Sequence, residues 1–204
     1  YVWRSPCMLE LMQQIDSVAP TDVSILLTGD NGTGKSQLAQ FIHERSASSR
    51  GPFIAVNMGA ISETLFESEL FGYQKGAFTG ANENRQGRLV AANGGTLFLD
   101  EIGNIPLHLQ AKLLTVLEQR KVTPLGSNKS IPLDIRVVSA TNVPHTELKD
   151  ETRFRADLLF RLNTVELHLP PLRERSEDVL PIAEFYLAQY CKKYGKQAKQ
   201  LNHN

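Results

Sequence analysis

Short apolar runs rich in β-branched residues alternate along the chain with longer stretches in which apolar positions recur every three or four residues. Val23 to Thr28 (VSILLT), Phe53 to Asn57 (FIAVN), Thr96 to Asp100 (TLFLD), Ile135 to Ala140 (IRVVSA) and Thr164 to Leu169 (TVELHL) read as buried strands. Helical spacing is predicted over Lys35 to Ser46, Ser62 to Leu70, Pro106 to Gln119 and Arg153 to Leu162. Pro106 suits a first helical turn, and Ser62 suits an N-cap with Glu63 behind it. Strands alternating with helices predict an α/β fold with a parallel sheet covered on both faces. Pro170-Pro171 breaks the alternation. Ser176 then caps a last helix running toward Gly195, with Glu177 and Asp178 in its first turn. The expected organisation is an α/β core over residues 1–170 and the start of a truncated helical subdomain over residues 171–204, ending in the polar run KQAKQLNHN.

One stretch fits no element. FGYQKGAFTGANENRQG, Phe71 to Gly87, sets Phe78 and Thr79 between two glycines in a run that is otherwise polar. A core element would carry Phe in a periodic apolar pattern, and none is present.

At 204 residues the chain fits one medium domain, or one domain and part of another. A hydrophobic share of 41% is enough to build a core. The 22 basic and 22 acidic residues cancel, which removes any global charge argument for nucleic acid or membrane. Cys7 and Cys191 have no metal-type spacing and point to a reduced, cytoplasmic setting. No apolar run reaches about 18 residues, and Tyr1-Val2-Trp3-Arg4 does not begin a signal peptide.

The most specific local signal is ILLTGDNGTGKSQLA. Gly29, Gly34, Lys35 and Ser36 satisfy the phosphate-loop spacing between an apolar strand and a helix. Glycines let backbone N–H groups of Gly29, Asp30, Asn31, Gly32, Thr33 and Gly34 curl around phosphate oxygens at a helix N-terminus, with Gln37 just beyond. Lys35 neutralises phosphate charge and the Ser36 hydroxyl can ligate Mg²⁺. In GGTLFLDEIG a buried strand delivers Asp100 and Glu101 to its carboxyl end, where ligands of open α/β sheets sit. Asp100 is placed to hold Mg²⁺, and Glu101 to orient or deprotonate an attacking water. Asn57 and Thr141-Asn142 end strands on the same predicted edge. An amide there either forms a turn or holds the lytic water near the terminal phosphate of ATP.

The series GDNGTGKS, ESELFGYQKGAFTGA, GGTLFLDEIG, SATN, FRADLLFRLN and LPPLRER, in that order, resembles the central AAA+ ATPase domain of sigma-54-dependent transcriptional activators, the bacterial enhancer-binding proteins. The resemblance implies that Gly76, Ala77, Phe78, Thr79, Gly80 and Ala81 form a loop inserted into a helix of the core, which contacts sigma-54 and moves with nucleotide state. It implies that Asn57 and Glu101 form a switch, that Thr141 and Asn142 are sensor I, and that Arg155 and Arg161 are arginine fingers reaching a neighbouring subunit of a hexameric ring. It also implies that Leu117 to Asp134 carries a second loop supporting the first. Sensor II, a sensory domain and a DNA-binding helix-turn-helix are expected outside these residues. Ser36 stands where the family usually has glutamate, Asp30 replaces a usual glutamate and Met58 a usual cysteine. The alternatives are a nucleotide-binding regulatory module without productive hydrolysis, or another AAA+ remodelling ATPase.

Overall fold

The computed structural model describes residues 3–197 and residue 201; Tyr1 and Val2, read above as no leader, and most of the polar run after Gly195 lie outside the described residues. Five strands form the main sheet: β1 (Ile25–Thr28), β2 (Phe53–Asn57), β5 (Thr96–Asp100), β8 (Arg136–Thr141) and β9 (Val165–His168). Their order is β2-β5-β8-β1-β9 and every pairing is parallel. The α/β expectation is met: β2 and β5 have the expected bounds, β1 and β9 are shorter by two residues, and β8 is shifted by one to include Thr141. Register places Asn57 opposite Asp100, and Thr28 opposite both Thr141 and His168. The carboxyl ends therefore meet along one edge.

Alternation divides the core. Leu97 and Leu99 face one side of the sheet and Phe98 the other, while Leu26 and Val137 oppose Ile25, Leu27, Val138 and Ala140. The first side is covered by α3 (Glu63–Phe71), α5 (Leu107–Gln119) and α7 (Ala156–Leu162), and the second by α1 (Pro6–Val18) and α2 (Lys35–Glu44).

Helix α1 is not among the sequence-derived helices, although Pro6 near its start and buried Met8, Leu11 and Ile15 carry its signal. Its C-terminus is closed from a distance. The buried Arg136 guanidinium donates to the carbonyls of Ala19 and Val18, satisfying acceptors that the helix leaves open. Ser62 stands at the N-cap of α3, but its hydroxyl meets Thr64 and makes no cap hydrogen bond. Pro106 occupies the N-cap rather than the first turn of α5. The expected Ser176 cap is also displaced: Ser176 opens a 3₁₀ turn through Asp178, and the last helix, α8 (Val179–Lys193), begins after it. Arg155 lies at the N-cap of α7, not within a helix beginning at Arg153.

Two small hairpins stand off the sheet. Strands β3 (Gly72–Tyr73) and β4 (Arg85–Gln86) form a neck between α3 and α4 (Arg88–Ala91), and β6 (Lys121–Val122) pairs with β7 (Ile131–Pro132) after α5. A short α6 (His145–Leu148) completes the set. Among the described residues no helix is long and apolar enough to cross a membrane.

His43 is buried on α2, with Nδ1 2.8 Å from Thr96 Oγ1 and its ring tilted on Phe53. Burial pushes its pKa below the ordinary 6.5, outweighing the nearby Glu44. The unfolded chain therefore takes up a proton first as pH falls through about 6.5, and native stability declines below that value. We expect the melting midpoint to fall between pH 7.5 and 5.5, and the fall to be shallower in His43→Asn. Equal slopes for the two proteins would contradict this.

Candidate functional site

The loop after β1 enters α2 through Gly34, whose φ of 105° lies in the left-handed region. No side chain caps that helix N-terminus, so its first N–H groups have no side-chain acceptor and suit an anion. Lys35 is 8% exposed, and its ammonium donates to the carbonyls of Gly29 (2.8 Å) and Asp30 (2.9 Å). Burial lowers its pKa, while Asp100, Asp30 and Glu101 oppose that shift.

Asn31, Gly32, Gly34, Lys35, Ser36 and Gln37 line one open cleft with Asp100, Glu101 and Asn142. Ser36 Oγ donates to Asp100 Oδ2 at 3.3 Å, so a hydroxyl and a carboxylate converge as hard oxygen donors. Gly29, Asp30 and Thr33 build the loop rather than line the cleft. A Cβ at Gly29 would sit 2.4 Å from the Leu169 carbonyl oxygen, Asp30 pairs with Arg173 at 3.1 Å, and the Thr33 hydroxyl donates to the Asp30 carbonyl at 2.9 Å.

Glu101 follows directly from β5 and adopts a left-handed backbone with φ 56°, which is uncommon for a side chain with a Cβ. Its amide donates to Asp100 Oδ1 at 3.0 Å. Its carboxylate is held between two amides, with Asn57 Nδ2 3.4 Å from Oε1 and Asn104 Nδ2 3.0 Å from Oε2. The Asn57 oxygen accepts from the amides of Gly59 (2.8 Å) and Ala60 (3.1 Å), which fixes the nitrogen toward Glu101. A Cβ at Gly59 would stand 2.1 Å from Glu101 Oε2. The resemblance pairs Asn57 with Glu101 and gives no place to Asn104 or Gly59. Asn104 lies three positions past Glu101 along a turn whose path the sequence does not reveal, and Gly59 comes near Glu101 only because β2 pairs with β5.

Thr141 is buried, and its hydroxyl accepts from the Val143 amide at 3.0 Å, so it shapes the turn that presents Asn142 to the cleft. Neither arginine of the predicted pair lines this cleft. Arg155 makes a two-pronged contact with Asp157, at 3.0 and 2.7 Å, and Arg161 donates to the Leu117 carbonyl at 3.2 Å.

The Gly76–Ala81 stretch sits on the β3–β4 neck, which Glu69 anchors through Arg85 (2.6 Å) and Arg88 (3.5 Å). Gly76 donates to the Ala81 carbonyl at 2.9 Å, closing the tip with positive φ at Gly76 and Gly80. Phe78 and Thr79 are exposed, with the Phe78 ring edge-on to Tyr73 at 4.9 Å, whereas Ala81 is buried. The second loop lies against this one: Gln74 donates to the Leu125 carbonyl, and Leu125 donates to Gly72, both at 2.9 Å.

The sequence pattern described as the sigma-54 interaction domain matches residues 1–168. The chain is 50% identical over 201 residues to the sigma54-dependent transcriptional activator SfnR of Pseudomonas putida, covering 98% of this chain and 55% of that protein. It is 51% identical to the transcriptional regulatory protein GlrR of Escherichia coli (strain K12), covering 95% of this chain and 44% of that protein. The chain thus spans about half the length of these curated relatives. Crystal structures of NtrX from Brucella abortus in complex with ATP and with ADP superimpose with TM-scores of 0.88 and 0.90 at 34% identity, covering all of this chain and 46% and 44% of those chains. With the matched pattern over most of its length and a P-loop AAA+ fold beneath it, the chain belongs to the sigma-54 interaction domain family.

Proposed function

We propose that this chain is the Mg-ATP-hydrolysing module of a transcriptional activator that acts on sigma-54 RNA polymerase through the Gly76–Ala81 loop. The observation that carries the reading is the seat of Glu101. It lies at the cleft of Lys35, Ser36 and Asp100, and its partner Asn57 leads through the Gly59 turn into α3, which ends at the loop neck. Support also comes from relatives named as sigma-54-dependent activators and from a similar fold solved with ATP.

In this mechanism the N-terminus of α2 and Lys35 bind the phosphates, and Ser36 and Asp100 would hold Mg²⁺, which would supply further neutralisation of phosphate charge. ATP supplies the phosphoryl group that is lost to water. Glu101 orients that water and accepts its proton, and Asn142 senses the terminal phosphate. When the phosphate leaves, Glu101 and Asn57 change partners, and α3, about 14 Å long at 1.5 Å per residue, carries the displacement to Phe78 and Thr79. Arg155 and Arg161 act on the nucleotide of a neighbouring subunit in a hexameric ring, the role that the resemblance gives them. DNA is reached through a domain outside these residues, and the setting is cytoplasmic.

Glu101→Gln is expected to keep Mg-ATP affinity and lose about 10²–10⁴ in turnover, whereas Lys35→Ala loses affinity itself. Near-normal hydrolysis by the Glu101 variant would remove its role.

Gly59→Ala should push the Glu101 carboxylate from its seat by roughly an ångström. Turnover falls on the order of 10²-fold, with little change in melting midpoint because only exposed side-chain ends must move. Unchanged turnover would show that the seat does not matter.

Thr79→Ala leaves hydrolysis intact and abolishes nucleotide-dependent capture of sigma-54, because the loop tip is separated from the cleft by the length of α3. Capture at the wild-type level would overturn the loop assignment.

A further inference from the structure

Leu169 lies at the end of β9, directly beneath the phosphate loop, and the chain after it runs back along that loop. Two arginines of this segment touch the loop. Arg173 is exposed and pairs with the Asp30 carboxylate at 3.1 Å. Arg175 is 3% exposed, and its Nη2 donates to the Thr33 carbonyl at 2.7 Å. Its Nε and Nη1 have no hydrogen-bond partner among the described residues, so the contact with Thr33 is its hydrogen bond to the protein there. The guanidinium also lies over the Trp3 ring, 5.6 Å from its centroid. Burial pushes the Arg175 pKa down, and the nearby Asp178 opposes that shift.

Asp178 is itself fully buried and gathers the segment before α1. It accepts from the Arg4 amide (2.6 Å), the Ser5 amide (3.0 Å) and the Ser5 hydroxyl (2.5 Å). Burial opposes its ionisation, but the Ser5 hydroxyl and the two amides, with Arg175 nearby, hold its carboxyl below the usual range. One buried cluster therefore joins the segment before α1, the segment before α8 and the phosphate loop.

The geometry points to Arg175 as a positioning residue of the phosphate loop, one that orients the Thr33–Gly34 peptide and ties that orientation to the Trp3–Ser5 segment. The peptide unit is planar and trans, so its carbonyl and its N–H point in opposite directions. Thr33 is buried and turns its carbonyl to Arg175, while Gly34 lines the cleft. Holding the carbonyl on one side holds the Gly34 N–H toward the cleft on the other. A rotated peptide would instead present a carbonyl oxygen to the phosphates and repel them. The Arg175 side chain is not among those lining the cleft; it acts through the backbone. The inference rests on the reading of the cleft as a nucleotide site.

The test measures binding of Mg-ATP and of inorganic tripolyphosphate to wild type, Arg175→Met and Arg175→Lys, each well below its melting midpoint. Arg175→Met is expected to weaken both ligands by a similar factor, roughly tenfold, the size of one hydrogen bond to a charged group. Arg175→Lys recovers part of that loss for both, since an ammonium can still donate to Thr33. If Arg175→Met does not fold, Arg175→Lys alone decides, with a common loss of a few-fold expected. Wild-type affinity for tripolyphosphate in a folded variant with a lowered melting midpoint would overturn the inference, leaving a structural arginine only. A loss confined to ATP would overturn it too, by moving the effect to the base or ribose. Wild-type protein that binds neither ligand would overturn the nucleotide reading and this inference together.

Discussion

Parallel pairing is the constraint on which the rest of the structure depends. Because all five strands run the same way and pair in near-even register, Asn57, Asp100, Thr141 and Thr28 reach the same edge of the sheet. Hydrogen-bond register is set in the strand interiors by Leu26, Leu99 and Val138, which have no chemistry of their own. Their burial on alternate faces forbids a one-residue slip, since a slip would turn every apolar side chain to the wrong layer. The polar residues at the strand ends are thereby located by the core. A ligand site at this edge follows from topology before any polar contact is considered.

Topology brings the groups together, but local backbone geometry aims them. Glu101 could have continued the extended path of β5, in which case its side chain would alternate away from that of Asp100. Its left-handed backbone breaks the alternation and sets the carboxylate between the Asn57 and Asn104 amides. Such a conformation costs free energy of order 1–3 kcal/mol and persists only where surroundings fix it. Here the fixing contacts are the Asp100 carboxylate on the Glu101 amide and the 3₁₀ turn Ile102–Asn104 that follows. Glu101 is thus a strained residue at the cleft, gripped by side chains from two elements.

What the sequence disclosed and what it hid divide along physical lines. The strands, α2, α3, α5 and the phosphate loop were legible because their signals are local: an apolar run, a helical period, a glycine spacing. Asp100 and Glu101 were legible because a buried strand must deliver its last residues to an edge. Helix α1 carries an equally local signal, with Met8, Leu11 and Ile15 at helical spacing, but no strand precedes it to mark it as part of the alternation. The true start of α7 was hidden because Arg153 to Arg155 have helical composition, yet the Gln110 side chain accepts the Arg155 amide and donates to the Arg153 carbonyl, fixing the chain there in a turn. Asn104, Gly59, Arg136 and Arg175 were illegible. Each acts through a partner set by tertiary structure, and for the two arginines that partner is more than a hundred positions away.

The arginines illustrate how burial sorts residues of one type. Arg136 and Arg175 have lost their water and hold backbone carbonyls, so removing either leaves desolvated oxygens behind. They are committed to the fold and to the loop. Arg155 is solvent-facing, and its fork is occupied by Asp157, two positions along the chain. An exposed pair of this kind is screened by water and salt and is readily exchanged for another anion. The Arg155 guanidinium thus stays exchangeable, unlike those of Arg136 and Arg175. Arg161 spends one nitrogen on the Leu117 carbonyl and keeps its charge uncompensated by any ion pair among the described residues. Contact with Leu117 fixes the direction of that side chain, and α7 fixes its height above the sheet. The Arg161 charge is left unpaired among the described residues while its hydrogen bond goes to a backbone carbonyl, which separates it from Arg155, whose charge a carboxylate already meets.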